Sequence, residues 1–163
     1  MKRLLSLLLL FACTSGISST DYCAFCDPAV LKNQTFYEDD LVLALYTHKP
    51  VLPGHCLVIP KRHVSCFDGL TDSESAQICV VLKKVDKAVR EVFATGPYLL
   101  LQKNGREVGQ SVPHVHFHYI PRKCGEYSAL SFFYKLYTAD LHKPMKQSEM
   151  DAIMAKLRTA IKQ

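Results

Sequence analysis

Short apolar runs separated by turn residues predict five β-strands. The runs are rich in β-branched and aromatic side chains, which favour strands, and Asp, Pro and Gly residues between them favour turns. Asp39-Asp40 marks one such turn, and Pro60 follows another run. The predicted strands span residues 35–38, 41–46, 55–59, 98–102 and 114–120.

A longer apolar pattern with helical spacing lies between the third and fourth predicted strands. Thr71 and Glu74 form a capping-box sequence, which typically begins a helix, and Gly96 is expected to end it. Apolar residues three or four positions apart predict one buried helix face. These residues are Ile78, Val81, Leu82, Val85, Val89 and Val92.

The carboxyl-terminal part is predicted to end in a second amphipathic helix, capped by Ser148 and running to Ile161. Residues 121–146 are expected to be irregular, and their aromatic residues favour core or dimer contacts over substrate binding. The order of strands, long helix, two strands and final helix predicts an antiparallel sheet with helices on one side, an α+β fold.

The first 20 residues have the layout of a leader. Met1-Lys2-Arg3 is basic, residues 4–13 are apolar except for one serine, and residues 14–20 are small and polar. The apolar stretch is too short to span a bilayer. Leu10-Phe11-Ala12-Cys13 is also similar to a lipoprotein box, in which a lipid on Cys13 would be the only membrane attachment. A lipoprotein leader, an ordinary signal peptide and a cytoplasmic protein with a misread start stay open, and residues 21–163 suit a single domain.

Charge and cysteine content narrow the functional classes. The net charge is +5, but no basic run interleaved with aromatic residues marks a nucleic-acid surface, so a small anionic substrate is favoured. The seven cysteines do not form a disulfide pattern, and only Cys23 and Cys26 are closely paired. Several free thiols would be unusual in an exported protein, which conflicts with the leader.

Three histidines at alternate positions predict a working site. In a strand, His114, His116 and His118 share one face, while Val115 and Phe117 point to the other, towards a core. Because a row of buried polar groups needs partners, a functional site is a better interpretation than solvated histidines or an adventitious metal site.

The sequence resembles the histidine triad family of nucleotide hydrolases and transferases. The resemblance rests on the His-Val-His-Phe-His run, the preceding Gly109-Gln110-Ser111-Val112, the segment from Lys49 to His63, and Cys23-Ala24-Phe25-Cys26. It covers most of residues 23–122. It implies a HIT-like five-stranded antiparallel sheet with one long helix and a C-terminal helix, and a homodimer. Candidate dimer contacts are the aromatic-rich carboxyl segment and the long helix face.

The cysteine pair is similar to that of the zinc-containing microbial branch of the family. Cys-x-x-Cys supplies two thiolates at a spacing that one zinc ion accepts. The resemblance nominates His63 and His114 as the other two ligands of Cys23 and Cys26, in a structural zinc site. A disulfide or a redox dithiol is the alternative for the pair.

The resemblance assigns His116 as the nucleophile on the α-phosphate of a nucleoside phosphoramidate or a dinucleoside polyphosphate. A neutral imidazole is not repelled by phosphate oxygens and can form a covalent nucleotidyl-histidine. His118 and Ser111 would bind the phosphate oxygens, and His55 would support that site.

Further substrate contacts are expected from Gly109, Gln110, Lys103, Asn104 and Thr47. Thr47 stands where many relatives carry an acidic or amide residue for the ribose. Lys103 stands where many carry an amide, and the sequence leaves open whether it holds a leaving group or is only solvated. These departures motivate an alternative, a nucleotide-binding regulatory protein with vestigial catalysis. A third hypothesis is an exported thiol- or metal-handling protein.

Overall fold

A five-stranded antiparallel sheet is the central element of the protein. The strands are β1 (Thr35–Glu38), β2 (Val42–Tyr46), β3 (Cys56–Pro60), β4 (Tyr98–Gln102) and β5 (Phe117–Pro121). They pair in the order β1-β2-β3-β5-β4, so the last strand in sequence lies between β3 and β4. The predicted α+β class and antiparallel sheet are confirmed.

The computed structural model describes residues 22–126 and 128–162, without the side chain of Asp140. The predicted leader, with Cys13, and the aromatic Tyr127 lie outside the described residues. Within them, no helix has both the length and the apolar character needed to cross a membrane.

Four α-helices accompany the sheet. They are α1 (Pro28–Gln34), α2 (Asp72–Phe93), α3 (Ala129–Thr138) and α4 (Gln147–Ala160). Helices α2 and α4 bury their apolar sides against one sheet face, together with Tyr46, Val58 and Tyr119. The predicted face of α2 is therefore core and is not available as a dimer contact. The opposite sheet face packs Leu45 and Leu57 against the amino-terminal segment.

Helix α2 begins as predicted and ends earlier than predicted. The Thr71 hydroxyl accepts a hydrogen bond from the Glu74 backbone N–H, and the Glu74 carboxylate accepts one from the Thr71 N–H, which completes the capping box. The end lies at Phe93, because Ala94 takes a left-handed conformation with φ of 53°. Gly96 is not the helix terminus, since its N–H donates to the Arg122 carbonyl beyond β5.

Residues 121–146 contain helix α3, so the expectation of an irregular segment is wrong. Ser128 caps the helix by accepting from the Ser131 N–H, and Phe132 and Leu136 pack against the apolar residues after β2. The pattern was hidden because the outer side of α3 is also apolar, with Leu130 and Tyr137 both more than 80% exposed. Further on, α4 begins at Gln147 with no side-chain cap, so Ser148 lies inside its first turn.

Strand β5 begins at Phe117 instead of the expected His114. The His114 N–H closes a tight turn onto the Val112 carbonyl at 2.8 Å, and the Val115 N–H donates to the Val64 carbonyl at 2.7 Å. This segment is therefore paired outside the strand ladder. It places His116 immediately before the strand.

Candidate active site and metal site

The three alternating histidines lie close together, with Phe25 packed against two of them. His118 lies on β5, paired with Leu57 of β3 and Leu101 of β4, and its ring centroid is 4.9 Å from that of His116. Phe25 packs edge-on against both His116 and His114, at 5.2 and 5.9 Å. The rings of His116 and His118 are therefore neighbours, and Phe25 lies against both His114 and His116.

His116 and His118 line a cleft of about 210 Å³. The cleft floor is the sheet face of Leu57 and Leu101, and its walls come from the amino-terminal segment, the loop after β2, the loop before β5 and helix α3. Most of the predicted catalytic and substrate residues line this cleft. They are Thr47, His55, Lys103, Gly109, Ser111, His116 and His118.

Gln110 and Asn104 do not belong to the cleft lining, contrary to the sequence-based expectation. The Gln110 amide accepts from the Gly105 N–H at 2.7 Å and donates to the Ser65 carbonyl at 2.9 Å. The Asn104 amide oxygen accepts from the Phe67 N–H at 2.8 Å. Both side chains therefore hold the loop that carries Gly109, which has a φ of +83°.

Backbone groups set the proton positions on His55 and His118. The Val51 N–H donates to Nδ1 of His55 at 3.2 Å, so that nitrogen carries a lone pair and Nε2 carries the proton. Nε2 of His55 then donates to Nδ1 of His118 at 3.0 Å. Nε2 of His118 is left as an N–H donor on a ring that lines the cleft.

His116 carries its proton on the other ring nitrogen, Nδ1. Its Nδ1 is 2.7 Å from the His114 carbonyl, which only accepts hydrogen bonds, so Nδ1 carries the proton. Nε2 therefore carries the lone pair. The cleft thus presents a nucleophilic nitrogen on His116 beside a hydrogen-bond donor on His118.

The electrostatic environment keeps these imidazoles neutral. Burial, followed by the nearby His55, His116 and Lys103, lowers the pKa of His118 to about 2. Burial and then His116 lower the pKa of His55 to about 3. Burial also lowers the pKa of His116, with a further contribution from the Lys103 charge. At neutral pH the site is therefore an uncharged row of imidazoles.

Cys23, Cys26, His63 and His114 form a second cluster next to this row. Their ligand atoms all lie within 4.8 Å of one another. The Sγ–Nδ1 distances are 3.5 Å for Cys23–His114, 3.3 Å for Cys26–His63 and 3.6 Å for Cys26–His114. Tetrahedral zinc, with Zn–S of about 2.3 Å and Zn–N of about 2.0 Å, requires S···N separations of about 3.5 Å, so the donor set fits.

The ring orientation of His114 also agrees with a metal ligand set. Nε2 of His114 is 2.9 Å from the Pro60 carbonyl, so Nε2 carries the proton and Nδ1 directs its lone pair at the thiols. Burial and then the neighbouring Cys23 thiol raise the pKa of Cys26 to about 11, so a bound metal ion would have to displace the proton of this thiol. Both cysteines are free thiols in this structure, with no disulfide between them.

Several cleft residues were missed by sequence reasoning. Leu57 and Leu101 were detectable in principle, because alternation along antiparallel strands puts them in register with His118. Leu136 on α3 and Ala139 just after it had no signal, because α3 itself was not predicted.

Comparison with known proteins identifies a matching domain family and similar sequences. A model of the HIT domain matches residues 29–125. The bis(5'-nucleosyl)-tetraphosphatase [asymmetrical] of Schizosaccharomyces pombe is 39% identical over 102 residues, which are 63% of this chain and 56% of that protein. The adenosine 5'-monophosphoramidase of the same yeast is 45% identical over 92 residues, which are 55% of this chain and 65% of that protein. The chain thus spans less than two thirds of either relative.

Solved structures share the fold. A hypothetical histidine triad nucleotide-binding protein from Sulfolobus tokodaii superposes with a TM-score of 0.69 at 25% identity, covering 86% of this chain and 92% of that one. A Zn-bound histidine triad family protein from Mycobacterium smegmatis superposes with a TM-score of 0.65 at 24% identity, covering 86% and 93%. Because the HIT domain match includes more than half of the residues, the chain belongs to the histidine triad, or HIT domain, family.

Proposed function

We propose that this protein is a nucleotide hydrolase or transferase in which His116 attacks the α-phosphate of a nucleotide derivative. The observation that carries the proposal is the pair of opposite tautomers. Nε2 of His116 has a lone pair because its Nδ1–H is held by the His114 carbonyl, and the neighbouring His118 offers an N–H. A phosphoryl group between them would meet a nucleophile and a hydrogen-bond donor.

The reaction proceeds in two displacements. In the first, the lone pair on Nε2 of His116 forms a bond to phosphorus, and the bond from phosphorus to the leaving group breaks, with its electron pair going to that group. In the second, water bonds to phosphorus, the N–P bond breaks, its electron pair returns to His116, and a water proton passes to solvent. The nucleoside monophosphate is released. Throughout, the proton stays on Nδ1 of His116, which donates its hydrogen bond to the His114 carbonyl.

Neutral imidazoles suit this chemistry. Phosphate oxygens repel an anionic nucleophile but not an uncharged ring, and the lowered pKa values keep the rings uncharged. His118 and Ser111 are assigned to the phosphate oxygens, and His55 to holding His118. The names of the two yeast relatives support a nucleoside phosphoramidate or a dinucleoside polyphosphate as substrate.

The test is a search for the covalent intermediate. Protein mixed with either class of substrate and quenched in base should show, by mass spectrometry, a nucleotidyl adduct on His116 that is absent from His116→Ala. Hydrolysis that persists in His116→Ala would refute the nucleophile. Tight nucleotide binding with turnover at the uncatalysed rate would instead support the vestigial, regulatory alternative motivated by Thr47 and Lys103.

A structural zinc held by Cys23, Cys26, His63 and His114 is part of this proposal. The tetrahedral spacing of the donor atoms supports it. When bound, the metal supplies a fixed link between the amino-terminal segment and His114. This link matters for the site because the carbonyl of His114 also holds the nucleophile.

We also propose that the protein forms a homodimer and that it is exported or anchored to a membrane by a lipid. Exposed apolar side chains on α3, such as Tyr137, and on the edge strand β4, such as Leu100, offer a surface for a second copy. Sedimentation of wild-type protein and Tyr137→Lys measures whether they are used. Export or lipid anchoring through Cys13 is proposed from the sequence alone, and the mature amino terminus decides it.

A further inference from the structure

Lys103 lies opposite the reacting histidine. Strand β4 ends at Gln102, which pairs with Phe117 of β5, and the next residues outward are Lys103 and His116. Because side chains alternate along a strand, Lys103 shares the cleft face with Leu101, as His116 does with His118. Both Lys103 and His116 line the cleft.

The ammonium group of Lys103 keeps hydrogen-bonding capacity for a ligand. Its Nζ donates to the Gly109 carbonyl at 3.2 Å, which orients it over the loop before β5. An ammonium group has three N–H donors, so two others are left. Lys103 is not part of the ion pairs that Lys61, Arg62 and Arg90 form with carboxylates.

The charge of the cleft lining favours a substrate with several negative charges. Two lysines, Lys49 and Lys103, line it together with the imidazoles. Among the lining residues that the structure describes, none is an aspartate or a glutamate. A chain of phosphates therefore meets positive charge and, among the lining residues that are described, no carboxylate.

We infer that Lys103 makes the cleft selective for substrates whose leaving group is itself a phosphate chain, as in a dinucleoside polyphosphate, over phosphoramidates that release an amine. The inference rests on the proposed function and narrows its substrate class. Lys103 is therefore a specificity-determining residue. It acts on the leaving group, whereas His116 attacks the phosphorus atom.

The two leaving groups differ in the charge that they develop. When a P–O bond to a second phosphate breaks, the electron pair stays on the bridging oxygen, and the departing phosphate gains a negative charge without needing a proton. When a P–N bond breaks, the electron pair stays on nitrogen, which takes up one proton from solvent and leaves as a neutral amine. Only the first case gives the ammonium group of Lys103 a developing charge to stabilise.

The experiment compares kcat/KM for a dinucleoside polyphosphate and a nucleoside phosphoramidate that share the same nucleoside. Wild-type protein is measured beside Lys103→Gln, Lys103→Met and the charge-preserving Lys103→Arg. Lys61→Gln, which removes a lysine outside the cleft, is the matched control for net charge. We expect Lys103→Gln and Lys103→Met to lose about 10- to 100-fold on the polyphosphate, the usual range for a hydrogen bond to a charged group, and to stay within about threefold on the phosphoramidate.

Lys103→Arg should recover most of the polyphosphate activity, and Lys61→Gln should leave the ratio of the two rates unchanged. An equal loss on both substrates, or an unchanged ratio in Lys103→Gln, would overturn the role of Lys103 while leaving the proposed function intact. Wild-type protein inactive on both substrates would instead overturn the proposed function, and this inference with it.

Discussion

Backbone groups determine the chemistry of the individual histidines. A backbone N–H only donates and a carbonyl only accepts, so the Val51 N–H and the His114 carbonyl leave no choice of proton position on His55 and His116. The same residue type thereby supplies a lone pair at one place and a donor at the next. His118 takes its proton position from His55, which makes His55 a positioning residue.

His55→Gln tests, through the pH dependence of stability, whether His55 is buried and neutral, as its hydrogen bonds to Val51 and His118 require. Burial lowers the pKa of His55 to about 3, so the unfolded chain binds a proton near pH 6.5 that the folded protein does not bind. This makes the wild-type protein lose stability as the pH falls from about 6.5 towards 3, by up to about 1.4 kcal/mol per pH unit. Chemical denaturation at several pH values should give a shallower slope for His55→Gln. Parallel slopes for the two proteins would contradict a buried neutral His55.

The secondary-structure elements show which parts of the fold the sequence predicts well. Strands β1 and β4 and the start of α2 lie where the pattern put them, because alternation and capping act within a few residues. The start of β5 and the helix α3 could not be predicted in this way. The first depends on a hydrogen bond between Val115 and Val64, and the second is apolar on both sides.

Glu74→Gln tests how much the contacts of Glu74 with Arg62 and Thr71 stabilise the start of α2. Glu74 accepts two hydrogen bonds from Arg62, at 3.0 and 2.7 Å, as well as one from the Thr71 N–H. The Arg62 guanidinium is the main cause that lowers the pKa of Glu74 to about 2. Since the side chain of Glu74 is only 6% exposed, we expect Glu74→Gln to lower the free energy of unfolding at pH 7 by about 1–3 kcal/mol.

The difference between wild-type protein and Glu74→Gln should shrink as the pH falls. A carboxylate with a lowered pKa stabilises the fold above its unfolded value of 4.5, and this contribution is lost as the pH approaches 2. Glu38→Gln is the control, because Glu38 and Lys61 form an exposed pair worth at most about 1 kcal/mol. Equal effects of the two substitutions, measured by denaturant titration, would show that the Arg62–Glu74 pair stabilises the fold no more than an exposed pair does.

At the scale of the whole molecule, the sequence predicted the motif residues of the site more accurately than the loop residues around them. The Cys-x-x-Cys motif and the alternating histidines predicted the metal ligands and the phosphate-binding residues. The structure brings two of the predicted ligands, Cys26 and His63, together although they are 37 positions apart. The roles of Gln110 and Asn104 were not predictable, because an amide in a turn-rich loop has the same sequence signal whether it binds backbone or substrate. Tertiary contacts alone decide between the two.

Removal of the proposed zinc tests how the two sites depend on each other. His114 belongs to both, because its Nδ1 faces the thiols and its carbonyl holds Nδ1 of His116. A metal present at 100 times its dissociation constant stabilises the native state by about 2.7 kcal/mol. We therefore expect metal analysis to find one zinc per chain, and chelation to lower both the unfolding temperature and the rate of adduct formation on His116.

Cys26→Ser should reproduce these losses without a chelator, whereas Cys124→Ser, at an exposed thiol outside the cluster, should not. Metal-free native protein with two fewer titratable thiols than the same protein after full reduction would point to a Cys23–Cys26 disulfide. That result would remove zinc from the proposal and leave the tautomer of His116 to the backbone alone.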